Sequence, residues 1–381
     1  MTYARARLWL GISGVGSLVV MATLALSYEL PSSLLATSQQ FSWTDVGQII
    51  AVAFALNLWM TPFDYLGGYH FPRKFKKSSE SFTHWGTKYI AAVIGQSALL
   101  VSFAVSILVA GQSWGLLGGL LAICGSVFVC LTTRSQLMRL KQIESKKATK
   151  LIVDALELVQ SWKVSVPKTM IVKHHDVGFT GGIIGLGNKA RIVVPEAWLH
   201  SMSKQQLASA IAGRAVAITS GSYTCGLLLA FLWNVIGFVL CCSHPTAGLT
   251  SVAALVTTFC WFTLWSFVGL LILPTVSRNA SLKIDQTLIE QGTPTDLIFE
   301  TAYSQDKMQD DEPDRPKLIE AIFHPIPSVS SRNQNSSRSA VGAWNVARTT
   351  LFFSWACFGV LSRAVHCNVG RPELWTMLPT D

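Results

Sequence analysis

Charge is scarce in this chain: only 13% of its 381 residues are Asp, Glu, Lys or Arg, while half are apolar and 13 are Trp. A soluble fold of this size cannot hide so much apolar surface, so the composition excludes one and points to a polytopic membrane protein. The eight Cys contain no C-x-x-C pair and no zinc-finger spacing, which excludes a thioredoxin-type redox motif and a Cys-rich zinc module. Cys124, Cys130, Cys225, Cys260 and Cys357 fall inside apolar runs and read as small packing residues. Cys241, Cys242 and Cys367 are expected near the outer face, where an oxidising compartment would permit a disulfide. Neither G-x-G-x-x-G nor G-x-x-x-x-G-K-[ST] stands between a strand and a helix, so the Gly-rich stretch GFTGGIIGLGN reads as a turn rather than a phosphate cradle. No aromatic-plus-basic module accompanies the Lys and Arg, and no nucleic-acid partner is expected.

Apolar runs long enough to cross a bilayer lie at Leu8 to Tyr28, Val46 to Tyr65, Tyr89 to Ala110, Trp114 to Thr133, Tyr223 to Cys242, Thr250 to Pro274 and Trp344 to Val365, which predicts about seven spans. The first reads as a retained anchor. Arg5 and Arg7 precede it, the Arg73–Lys88 cluster follows the second run, and Arg134 to Lys150 follow the fourth; the alternate loops carry no Lys or Arg. Cytoplasmic loops hold the positive excess. The pattern therefore predicts an integral plasma- or inner-membrane protein, with its amino terminus and core domain cytoplasmic and its carboxyl terminus outside. The same cations attract anionic lipid headgroups. Asp64 sits at the end of the second run and is expected to pair with Arg73 or Lys74.

Between the fourth and fifth runs the pattern changes. Arg134 to Trp162 reads as an amphipathic helix, followed by two strand-like stretches, Val166 to Asp176 and Asn188 to Pro195, on either side of the Gly-rich turn. Ser203 and Gln206 form a capping box opening a helix that runs to Gly221, with Leu207, Ala210, Ile211, Arg214 and Ile218 on one face. A second helix is predicted from Ser277 to Gly292. Ser304 to Pro316 reads as a polar loop and Ser328 to Ser339 as a linker. The expected domains are 1–133 (four spans), 134–222 (cytoplasmic α+β part), 223–274 (two-span hairpin), 275–343 (second half of the core) and 344–381 (last span and tail).

The run Asn188 to Tyr223, together with SRNASLKID (Ser277 to Asp285) and HPIPSVSSR (His324 to Arg332), resembles the integral-membrane zinc metallopeptidases of the gluzincin class, which include the CAAX prenyl endopeptidase and the bacterial heat-shock membrane protease. The resemblance implies a membrane α-helical bundle with a cytoplasmic α+β zincin-like domain. It also implies that the strand Ala190, Arg191, Ile192, Val193 and Val194 is an edge able to align a peptide by strand addition. In that family H-E-x-x-H supplies two zinc ligands and a general base, and S-R-x-x-E-x-x-x-D a third ligand with an Asp supporting it. Here the corresponding positions are Gly213, Arg214 and Ala217, then Ser277, Arg278, Ser281 and Asp285. Ser281 stands where the ligand Glu should be.

Gly and Ala offer no donor atom, and Arg is protonated at any usable pH and repels a dication. No metal, cofactor or catalytic residue is therefore expected at these positions, and a buried Arg214 is expected to pair with Asp285. A relocated metal site would have to draw on His174 and Asp176, which share one face of a strand while His175 takes the other, with His200 or His324 as candidate partners. Three functions remain open from the sequence. One is an inactive metallopeptidase homologue that binds a peptide or another membrane protein as a scaffold or regulatory subunit. The others are an active membrane-embedded peptidase with a relocated site and a purely structural membrane subunit.

Overall fold

The computed structural model describes residues 1–143, 146–174, 178–309, 312, 314–334, 342–372 and 375. Among these, five helices are long and apolar enough to cross a membrane: Tyr3–Ser27, Trp43–Lys74, Phe82–Leu140, Ser222–Cys242 and Val252–Glu290. The chain divides into two compact units, each assembled from separated stretches.

The first unit takes Met1–Cys130, Phe231–Gly269 and the described part of Thr350–Met377. The Thr2 hydroxyl caps its first helix by accepting from Arg5 N at 3.2 Å. Ser42 and Asp45 form a capping box on the second, with Ser42 N donating to the Asp45 carboxylate at 2.9 Å. The Phe82–Leu140 helix is two legs joined at Trp114 and Gly115, where Gly115 takes φ 59°, a conformation that costs Gly nothing. This is the break expected between the third and fourth runs. Gly111 and Gly119 admit the Leu249 side chain: a Cβ on either would lie 2.4 or 2.3 Å from it.

The seventh expected span is not a spanning helix. Val346–Ser354 is helical, Trp355–Cys357 is a 3-10 turn, Phe358 takes φ 62°, and only Leu361–Ala364 is helical again. Every residue from Phe352 to Gly359 and from Leu361 to Ala364 is buried. Hydropathy registers removal from water without saying whether lipid or protein does the covering. Irregular backbone of this kind is sustained in a membrane protein by burial in protein.

The segment that follows ends beside the amino terminus. Arg7 donates to the carbonyls of Gly67 at 2.8 Å, His366 at 2.8 Å and Val369 at 3.1 Å. Residues 366–370 therefore lie at the same end of this unit as the start of the first helix. Cys367 belongs to this end as well, and all eight Cys are free thiols. Asp64 is fully buried and its partner is Arg363, at 2.5 Å, instead of Arg73 or Lys74. Arg73 lies over the Tyr69 ring.

The second unit takes Leu131–Ala230 and Leu270–Thr349. Its sheet has the order β1 (Thr169–Val172), β3 (Arg191–Pro195), β2 (Gly182–Ile184), with β1 parallel and β2 antiparallel to β3. The Gly-rich turn folds back as β2, with Gly181, Gly182, Gly185 and Gly187 all at positive φ. The helix α1 (Lys204–Thr219) packs on β3, on Lys146–Ser161 and on Thr295–Met308. Its capping box is present, Gln206 N to Ser203 Oγ at 3.2 Å and Ser203 N to Gln206 Oε1 at 3.1 Å, and Gly221 follows its end at φ 75°.

Three stretches differ from expectation. The helix expected to begin at Ser277 is the continuation of Val252–Glu290, which contains Pro274 without interruption, as helices of membrane proteins tolerate. The polar stretch from Ser304 is helical to Met308, and Asp306 there pairs with Arg315 at 2.9 Å. Within the expected linker, Val329–Gln334 is a helix, and the remainder lies outside the described residues.

Candidate functional site

The second unit holds a cavity of about 100 Å³ between α1, the Ser277–Glu290 turns and the His324–Arg332 segment. Gly213, Arg214, Ser281 and Asp285 meet at its wall, together with Arg332 and Trp344. Four of the five site positions singled out in the sequence are thus brought together. Ala217 is fully buried and is not part of the wall. A Cβ on Gly213 would meet no atom within 4 Å, so the absence of a side chain there leaves space that nothing else fills.

The charges are arranged differently from expectation. Asp285 is paired with Arg332 at 2.6 Å, and Arg332 Nε donates to Pro327 O at 3.2 Å. Arg214 donates through Nη2 to Thr180 O at 2.7 Å and lies over the Trp198 ring, 4.5 Å from its centroid. The expected Arg214–Asp285 pair is therefore replaced. Arg332 reaches the carboxylate from the third resembling segment, and Arg214 turns to the sheet side of α1. The only sequence signal for Arg332 was its place at the end of HPIPSVSSR.

Further hydrogen bonds fix the walls. Ser281 Oγ donates back to Ser277 O at 3.2 Å, and Ser277 Oγ accepts from Ala347 N at 3.0 Å. Arg278 donates to the carbonyls of Ala321 at 2.9 Å and His324 at 3.0 Å, tying the helix to the segment that carries Arg332. Glu320 is buried and accepts from Ser328 N at 2.7 Å, Ser328 Oγ at 2.9 Å and Ser331 Oγ at 2.8 Å. Burial pushes the Glu320 carboxyl up, but these hydrogen bonds and the charge of Arg315 outweigh it and hold the group below the ordinary glutamate range.

That direction sets a pH dependence. The stability contributed by ionised Glu320 is complete above its unfolded value, about 4.3, and is lost as pH falls through the lower folded value. Glu320→Gln is expected to lower the melting temperature at pH 7 and to flatten its decline between about pH 5 and 3. Melts in detergent across that range check it. An unchanged acid limb would show that another carboxylate carries it.

The donor set does not suit a zinc ion. Gly213 and Ala217 have no side-chain donor, Ser281 supplies a neutral hydroxyl, Asp285 is held by a guanidinium, and Arg214 is a cation that cannot ligate a metal. Among the described residues no three His, Cys, Asp or Glu are gathered as a metal site. His174 packs on the Phe179 ring at 4.5 Å, while His175 and Asp176 lie outside the described residues.

The strand Ala190 to Val194 is also placed differently. β3 is the central strand, paired on both sides, and has no open edge for a peptide. The outer β2 edge is itself engaged: Arg134 donates to Ile183 O at 2.9 Å and the Tyr223 hydroxyl to Gly185 O at 3.0 Å. On the β1 side, Ile143 N donates to Ile171 O at 3.0 Å and Lys173 N to Lys141 O at 3.0 Å. Strand order is a long-range property that the alternation within one strand does not encode.

No family model and no curated protein sequence matches this chain. Its structure is similar to the crystal structure of S. mikatae Ste24p, with a TM-score of 0.64 and 12% sequence identity over 77% of this chain and 76% of that one. With five membrane-length helices among the described residues, the chain therefore has a Ste24p-like membrane fold.

Proposed function

We propose that this protein is a catalytically inactive membrane metallopeptidase homologue that acts by binding, as a scaffold or regulatory subunit of a membrane complex. One observation carries the reading. The cavity that gathers the resembling motifs is lined by Gly213, Arg214, Ser281 and an Asp285 closed off by Arg332, a set with neither zinc ligands nor a general base. The Ste24p-like fold supports the relation to membrane metallopeptidases. The partner is a peptide or another membrane protein, in contact with membrane lipids, and no cofactor takes part. Strand addition to β3 is not the binding mode, because that strand is central. The cavity, with its mixed charged, hydroxyl and apolar wall, is the place for recognition.

The test is the zinc content of full-length protein purified in detergent without chelator or histidine tag. Far less than one zinc per chain, before and after incubation with zinc and dialysis, is the expected result. A retained stoichiometric zinc would overturn the reading and make an enzyme with a relocated site the leading one.

A further inference from the structure

At the end of the second membrane-length helix, Arg73, Lys74, Lys76 and Lys77 place four cations within five residues, all of them exposed. The helix closes there through Phe75 N donating to Phe71 O at 3.0 Å and Lys77 N to Pro72 O at 2.7 Å, with Lys76 at φ 55°. That left-handed position is the one Gly ordinarily fills, so the chain keeps a charge where a residue without a side chain would be less strained. Complementing the helix dipole accounts for Arg73 and Lys74 in the last turn, but not for the cations beyond it. The acids nearest the cluster in sequence are held elsewhere: Asp64 pairs with Arg363, and Glu80 lies 2.9 Å from Lys88 Nζ and 3.5 Å from His84. Among the described residues none of Arg73, Lys74 and Lys76 is in an ion pair.

Aromatic rings and an apolar stripe adjoin the cluster. The Arg73 guanidinium lies 5.3 Å from the centre of the Tyr69 ring, and that ring lies 5.3 Å from Phe82 and 5.9 Å from Trp85. Tyr and Trp, with an apolar body and a polar tip, settle at the boundary between hydrocarbon and headgroups. The Tyr3 ring of the first helix packs on the same turn, 5.6 Å from Phe75, with Lys77 Nζ 5.9 Å from its centre. Starting beside Tyr69, the Phe82–Leu140 helix presents Phe82, Ile90 and Ile94 at 55%, 58% and 64% exposure. Spacings of eight and four residues put the three on one face. The stripe runs about 18 Å at 1.5 Å per residue, slightly more than one leaflet's share of a hydrocarbon core about 30 Å thick.

We propose that Arg73, Lys74 and Lys76 hold the headgroup of an anionic phospholipid whose acyl chain lies along the Phe82, Ile90 and Ile94 stripe. A soluble polyanion would meet the cations and leave the stripe uncovered. A neutral phospholipid would cover the stripe and leave the cluster without net counter-charge. A phospholipid with a net negative headgroup meets both, and cations beside a membrane-spanning helix favour such headgroups over neutral ones. The site lies in the first unit, so its failure would not bear on the cavity of the second.

The test uses full-length protein reconstituted in vesicles of equimolar dioleoylphosphatidylglycerol and dioleoylphosphatidylcholine and re-extracted in detergent, with the lipid that stays bound counted by mass spectrometry. The parent is expected to retain phosphatidylglycerol over phosphatidylcholine by about fivefold or more. Arg73→Gln with Lys74→Gln and Lys76→Gln is expected to bring the ratio close to parity. Lys163→Gln with Lys204→Gln and Lys317→Gln, at exposed lysines of the second unit, removes the same net charge and is expected to keep the parent ratio. Lys74→Gln with Lys76→Gln, which leaves Arg73 on the Tyr69 ring, is expected to fall between. Excess glycerol 3-phosphate, which has the phosphate without the chains, is expected to leave the retained lipid in place. No enrichment in the parent, equal losses from the two triple variants, a double variant at the parent ratio, or displacement by glycerol 3-phosphate would each overturn the proposal, the last by assigning the cluster to a soluble anion.

Discussion

Arg332→Leu is expected to destabilise the second unit by about 3–5 kcal/mol, because it leaves the Asp285 carboxylate buried without its counter-charge. The pair is well shielded, with side chains 11% and 14% exposed, and the guanidinium also holds the Pro327 carbonyl. Removing both charges at once, as Asp285→Leu with Arg332→Leu, is expected to recover most of the loss, since a buried pair contributes little net stability over an apolar replacement. Denaturant melts of the two single variants and the double variant in detergent give the coupling directly. Single losses that simply add would mean that the two groups do not depend on one another. If Arg214 were the true partner of Asp285, Arg214→Leu would show the strong coupling to Asp285→Leu and Arg332→Leu would not.

Trp198→Ala is the second large effect, about 3–5 kcal/mol from the lost apolar burial and the hole left behind. Trp198 is fully buried and its ring is the platform on which the Arg214 guanidinium lies. A desolvated cation over an aromatic face contributes about 2 kcal/mol more. Trp198→Phe keeps a ring beneath the cation and is expected to cost less than half as much. The indole N–H has no hydrogen-bond partner, so its loss leaves no acceptor stranded. Equal losses for the two substitutions would remove the stacked cation from the account and leave volume alone.

Local chemistry was legible in the chain wherever sequence neighbours settle it. The Ser203–Gln206 box, the left-handed Gly221, the Gly-rich turn and the break at Trp114 and Gly115 all depend on dihedrals and hydrogen bonds within a few residues. Four of the five positions chosen by alignment to motifs, Gly213, Arg214, Ser281 and Asp285, came together at one cavity. Charge partners were not legible. Asp64 has Arg73 and Lys74 nearby in sequence but pairs with Arg363, and Asp285 pairs with Arg332 in place of Arg214. A guanidinium on a long side chain finds its carboxylate through packing, and packing follows from elements far apart in the chain.

The sequence by itself determined that the chain is a membrane protein, where its first six apolar runs lie, and that Gly213 and Ala217 carry no side-chain donor atoms. Each of these follows from composition, local periodicity or side-chain chemistry. Tertiary structure alone decided that the last apolar run is not one continuous helix, that the strand from Arg191 is central, and which Arg holds which Asp. Those outcomes depend on which surfaces cover one another, and hydropathy and alternation record only that a residue is covered.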